Sequence, residues 1–259
     1  MAKLKFVLLI SSVLLIIAPI FSPSTISETP PPTYNIHTIH RISSNWAGYV
    51  VATNLNKPQN DVITDVKGSW IVPAVVGSKP RYAHSASWIG IDGYSSHSVE
   101  QIGTESNVQN GRAVYFAWYE MFPKSAVYLN MRINAGDTIS AEVKYLEPGN
   151  FLLSITDVTT GASFSTIQKS RRGLSGAPHR SSAEWIVEAL FFGLAPLTDF
   201  GTAYFFNSQV TVNGVTGTIN NAHWQNNAIT MVTLIYKIKA QPSHRSNDGT
   251  SFSVTWHHR

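Results

Sequence analysis

Thr138-Ile-Ser-Ala-Glu-Val-Lys-Tyr-Leu146, Glu147-Pro-Gly-Asn150 and Phe151-Leu-Leu-Ser-Ile-Thr156 follow one another without a break. Two β-type runs flank a turn in which Pro148 presets φ and Gly149 supplies a positive one. The same alternation of run and punctuation extends outward in both directions. Ser69 to Val72, Ser85 to Asp92 and Ala113 to Phe122 precede it; Thr202 to Phe206, Ile229 to Lys239 and Ser251 to His257 follow. Asn134 to Asp137 and Asn213-Gly214 are further turn signals. Many short strands with such spacing predict an all-β chain folded as an antiparallel sandwich or barrel. No internal repeat interrupts this pattern, so residues 43–259 are expected to form one domain.

One segment resists local rules. Ala183-Glu-Trp-Ile-Val-Glu188, continuing to Phe192, places its two glutamates at strand parity and equally at the i, i+4 spacing of a helix. Ala, Glu and Leu favour the helix. Both readings stay open at this point.

Parity is more informative elsewhere, because alternate residues of a strand share a face. Trp88, Gly90 and Asp92 fall together, as do Phe116, Trp118, Glu120 and Phe122, and Gln101 agrees with Glu105. Polar candidates can therefore line one aromatic-rich sheet face. A core strand rarely sets Glu among aromatics. Of the other acids, Asp61 and Asp65 are expected in a loop, Asp137 and Asp157 at turns, and Glu142 and Glu147 in solvent.

Composition narrows the setting. The 259 residues are 11% aromatic and only 13% charged, against about a quarter charged in an average chain. A surface of neutral polar groups changes charge little as pH falls, which suits an acidic environment. The net charge of +4 includes no basic run interleaved with aromatics, so nucleic acid is not an expected partner. There is no cysteine, which removes thiol catalysis and thiolate metal sites and leaves core burial to hold a chain of this length.

The first residues read as a targeting segment. Lys3 and Lys5 precede an apolar run from Phe6 to Phe21, broken only by Ser11, Ser12 and Pro19. Residues 1–25 are expected to be a signal peptide cut near Ser22 to Thr25, giving a secreted protein. The alternative is an uncleaved membrane anchor. Residues 26–42, with three successive prolines at 30–32, form a linker or a short pro-segment.

Several familiar chemistries find no support. Asp199-Phe-Gly201 spells a magnesium-binding motif of kinases, but no phosphate loop or His-Arg-Asp precedes it, and a turn is the expectation. His37 and His40, or His257 and His258, lack metal-binding spacing, so no metal and no cofactor are expected. No Gly-x-Ser-x-Gly elbow occurs. The basic residues Lys169, Arg171, Arg172 and Arg180 flank Gly173 to Pro178, where a solvated loop is expected.

What remains is a carboxylate and a primary amide on separate segments, a pair able to take a proton from water and to hydrogen-bond an oxyanion. Here the chain resembles the glutamic peptidases, or eqolisins. The matching segments are Ser44-Asn-Trp-Ala-Gly-Tyr49, Ser69-Trp-Ile-Val-Pro73, Ser87-Trp-Ile-Gly-Ile-Asp-Gly93, Glu100-Gln-Ile-Gly103, Ala117-Trp-Tyr-Glu120, Ala135-Gly-Asp137, Ala183 to Glu188, Asp199 to Gly201 and Ser251 to Trp256. They stand in family order from about Ser43 to Trp256.

The resemblance implies a sandwich of two curved antiparallel sheets, concanavalin A-like or jelly-roll in type, and makes Ala183 to Glu188 a strand. It assigns catalysis to Gln101 and Glu184, preferring Glu184 to Glu188 on the motif. Trp88, Asp92, Glu105, Trp118 and Glu120 would surround the pair and shape the cleft. Glu105 stands where the family commonly has Asp, Met121 where an aromatic is common, and Ala189-Leu190 where the sequence is usually more acidic. The implied activity is that of a secreted, monomeric acid endopeptidase acting on polypeptides. Two other readings are a carbohydrate-binding sandwich with exposed aromatics and a glycoside hydrolase using Glu120 and Glu184.

Overall fold

A computed structural model describes residues 41–76, 81–170, 178–190 and 193–258. The targeting segment, the proline-rich linker through residue 40, and residues 171–177 of the basic loop lie outside the described residues, as do His37 and His40.

The described residues are all-β: seventeen strands and no α-helix. One layer is built from β2 (Trp46–Ala52), β5 (Ala86–Ile91), β6 (Val99–Gln109), β7 (Arg112–Phe122), β8 (Val127–Tyr128), β12 (Ser182–Glu188) and β15 (Gln225–Val232). Its order is β8-β7-β6-β5-β12-β2-β15. The other layer contains β3 (Ile63–Ile71), β9 (Thr138–Leu146), β10 (Asn150–Asp157), β11 (Ser163–Lys169), β13 (Thr202–Val212), β16 (Ile238–Pro242) and β17 (Phe252–Trp256), ordered β11-β10-β9-β3-β13-β17-β16. Because β16 also pairs with β15, hydrogen bonding runs from one layer into the other along one edge. Among the strand pairs only β1 (Arg41–Ser43) on β15 is parallel. Two short strands, β4 (Tyr82–Ala83) and β14 (Val215–Gly217), extend β6 and β13.

The two layers pack face to face, with β3 against β5 and β12, and β9 against β5 and β6. Ile89, Ile91, Ile102, Trp185 and Val187 from the first layer meet Trp70, Val143, Phe205 and Phe252 from the second in one buried core. A second apolar cluster lies on the opposite face of the first layer, made from Val50, Ala52, Trp88, Trp118 and Ile186. Both faces of the first layer thus carry apolar clusters, and β12 is buried along nearly its whole length.

That double burial resolves Ala183 to Glu188 as a strand. Trp185 points into the core and its indole N–H donates to the Lys67 carbonyl at 2.8 Å. Full hydrogen bonding to β2 and β5 on either side outweighs the local helical preference. Two expectations differ from the structure. The run Ile229 to Lys239 is two strands split by a turn at Thr233–Lys237, where Leu234, Ile235 and Tyr236 are exposed and Tyr236 takes a φ of 61°. Asp65 lies on β3, paired opposite Lys144, rather than in a loop.

Candidate active site

Cross-strand register brings the motif residues onto one face. Reading across β12, β5, β6 and β7, one row is Glu184, Gly90, Gln101 and Glu120. The next is Ile186, Trp88, Gly103 and Trp118, and the third is Glu188, Ala86, Glu105 and Phe116. Strand alternation places all three rows on the same side of the layer, the side opposite the main core. The glycines leave space for the Trp88 indole: a Cβ on Gly103 would lie 2.5 Å from the Trp88 Cβ, and one on Gly90 would meet both Trp88 and Gln101 at 3.1 Å.

Over these rows opens a cleft of about 680 Å³, lined on its floor by Gln101, Glu105, Trp118, Glu120 and Glu188. Trp46, Tyr94, Phe122 and Tyr128 supply aromatic walls. Trp88 lies fully buried beneath, edge-on to Trp46 with ring centroids 5.1 Å apart.

Gln101 is 5% exposed, and its amide nitrogen donates to a Glu120 carboxylate oxygen. Its amide oxygen is buried without a hydrogen bond. Burial raises the Glu120 pKa, the Gln101 amide opposes the rise, and nearby Glu105 adds to it. Glu105 is itself raised by burial, offset by hydrogen bonds from the Asn107 amide and from the Tyr128 hydroxyl at 3.0 Å.

Glu188 is the third carboxylate of this cleft, beside Glu105 and Glu120. The Asn45 amide donates to one of its oxygens at 2.9 Å and the Trp88 indole N–H donates to the other at 2.8 Å. Burial pushes its pKa up to about 7; Trp46, Asn45 and Trp88 pull it down, and Glu120 pushes it further up.

Glu184 sits differently. It is 0% exposed, does not line the cleft, and neither carboxylate oxygen has a hydrogen bond of ordinary geometry. Burial raises its pKa well above the usual range, assisted by Asp92 and Glu100. Two sites one helical turn or four strand positions apart share a face, so parity could not separate these glutamates. Burial does.

Asp92 is also fully buried and away from the cleft. Its carboxylate accepts the backbone N–H groups of Arg180 at 2.6 Å and Ser181 at 2.9 Å, and the Ser181 hydroxyl at 3.0 Å. It anchors a loop rather than facing substrate, while the adjacent Gly93 reaches the cleft wall. Asn45 and Trp46 were not among the expected site residues, although their Ser44-to-Tyr49 motif was the available signal.

Comparison with known proteins gives the family. The Peptidase A4 family model matches residues 44–250. The chain belongs to that family, the glutamic peptidases. It is similar to aspergillopepsin-2 of Aspergillus niger, at 29% identity over 69% of this chain and 68% of that protein. Among solved structures, scytalido-glutamic peptidase bound to a transition-state analogue superposes with a TM-score of 0.68 at 22% identity, covering 83% of this chain and 98% of that one. Aspergilloglutamic peptidase from Aspergillus niger gives a TM-score of 0.58 at 26% identity, covering 68% and 99%. The fold is the glutamic-peptidase β-sandwich, and the protein is a glutamic-type endopeptidase. Neither sugar-directed reading survives this membership.

Proposed function

We propose that the protein is a secreted acid endopeptidase whose working pair is Gln101 and Glu188. The observation that carries the pair is the shared cleft: Gln101 and Glu188 line it and Glu184 does not, while of the other carboxylates there Glu120 is held by the Gln101 amide and Glu105 by Asn107 and Tyr128. Ionised Glu188 takes a proton from water as the water oxygen bonds to the scissile carbonyl carbon. A primary amide has two N–H bonds; Glu120 holds one of those on Gln101, which leaves the other for the developing oxyanion. The intermediate then collapses with cleavage of the C–N bond, and Glu188 returns its proton to the leaving nitrogen. Trp118, Glu105 and the aromatic walls would hold the extended substrate. Secretion rests on Lys3, Lys5 and the apolar run behind them.

The test is cleavage of a denatured protein between pH 2 and 7. Glu188→Gln and Gln101→Ala are expected to lower kcat by about 100-fold or more, as loss of a catalytic base or oxyanion donor does. Glu184→Gln is expected to remain active. A folded Glu184→Gln enzyme without activity, beside an active Glu188→Gln enzyme, would return the role to Glu184.

A further inference from the structure

Charge is unevenly spread along the cleft. Its carboxylates Glu105, Glu120 and Glu188 stand on β6, β7 and β12, whereas Arg41 enters from β1. β1 lies beyond β15, so five strand steps separate Gln101 on β6 from Arg41. At about 4.8 Å a step this is about 24 Å of backbone, which an extended peptide covers in about seven residues. The Arg41 side chain shortens the gap by reaching back toward Tyr94, its guanidinium carbon 5.2 Å from the ring centroid. No carboxylate that lines the cleft comes from β1, β2, β15 or the segment around Tyr94.

β1 is held in place. Arg41 pairs in register with Ile229, and the Ser43 hydroxyl oxygen accepts the backbone N–H groups of Asn45 at 3.3 Å and Trp46 at 3.1 Å. Asn45 in turn donates to Glu188, so one short segment positions both the proposed base and the guanidinium. Arg41 is exposed and donates to the Asn56 amide oxygen at 3.3 Å, and among the described residues no salt bridge reaches it. A guanidinium has five N–H donors in one plane, so most remain for a ligand. Arg180 shows what a structural arginine looks like here: buried, and taken up by Asp61 at 2.7 Å and the Ile63 carbonyl at 3.2 Å. The Peptidase A4 match begins at residue 44, so Arg41 stands outside the segment shared with the family.

We propose that Arg41 forms an anion subsite at the β1 end of the cleft, selecting peptides that carry a carboxylate several residues from the scissile bond. The subsite rests on the reading of this cleft as the substrate site. Paired planar N–H groups match a carboxylate in two parallel hydrogen bonds, and the Tyr94 ring steadies the fork. The carboxylate belongs either to a Glu or Asp side chain or to the free C-terminus of a short peptide.

The test uses the full-length enzyme at pH 5.5, where peptide carboxyls of about 3.5 to 4.3 are ionised. Amidated peptides with one Glu or one Gln, placed three to seven residues to either side of the scissile bond, are compared by kcat/KM. A second arm compares a neutral peptide with a free and an amidated C-terminus, which separates the two sources of carboxylate. Wild type is expected to favour the carboxylate about threefold or more at one position, within the range of exposed ion pairs. Arg41→Gln should bring that ratio to about one, and Arg41→Lys should keep part of it. Arg41→Glu should favour a lysine peptide instead. A residue that acts through packing alone would change the rates of all peptides together and leave the ratios intact. No carboxylate preference in wild type, or the same preference in Arg41→Gln, overturns the subsite. Rapid-mixing tryptophan fluorescence with the same peptides reads the preference as a ratio of Kd without cleavage. Failure of the subsite and failure of the Gln101–Glu188 pair are therefore distinguishable.

Discussion

Glu188 carries a proton donor on each oxygen, and this shapes its pH behaviour. The Trp88 indole N–H stabilises the ionised form, so removing it raises the Glu188 pKa. Trp88→Phe is therefore expected to move the acidic limb of kcat/KM to higher pH. The loss should be largest at the lowest pH, where least of the base is ionised, and should shrink as pH rises. A uniform loss across the profile would assign Trp88 a packing role alone. At this scale Gln101, Glu105, Trp118 and Glu120 were legible from parity and motif, and all four line the cleft. The choice between Glu184 and Glu188 was not legible. Equal parity gives equal face, and only the covering of Glu184 separates the two.

β12 shows why an element can contradict its own propensities. Its sequence suits a helix, yet it lies between β2 and β5 with both faces covered. Trp185 anchors it, packed so closely on β3 that a Cβ at Gly68 would lie 2.8 Å from the indole ring. Trp185→Ala should lower stability by about 3–5 kcal/mol, the usual cost of deleting a large buried aromatic. Urea unfolding at acid pH measures this, and a change under 1 kcal/mol would contradict the packing. The opposite error occurs in Ile229 to Lys239. Apolar content suggested one continuous strand, but Leu234 is 90% exposed at a turn. Hydrophobicity marks strands only when a partner layer is available to cover them.

Across the whole molecule, charge contributes little through pairing. Three salt bridges occur among the described residues, two of them sharing Lys67, and the Lys67 side chain is 46% exposed. Exposed pairs of this kind are worth about 0–1 kcal/mol and are screened by salt. Raising ionic strength from low to near 1 M sodium chloride at pH 4 is expected to leave the urea midpoint almost unchanged. A large destabilisation would reveal ion pairing that the fold does not show.

The sequence by itself determined the strand-and-turn alternation, the all-β class and the residue types of the candidate site. Those depend on local periodicity, turn chemistry and composition, which a linear chain already contains. Only the tertiary structure decided that β12 is a strand, that Glu188 faces the cleft, and that Asp92, Glu100 and Glu184 are each buried. These outcomes depend on what lies above and beside each residue. Burial and the dielectric it creates are properties of the packed molecule, not of neighbours along the chain.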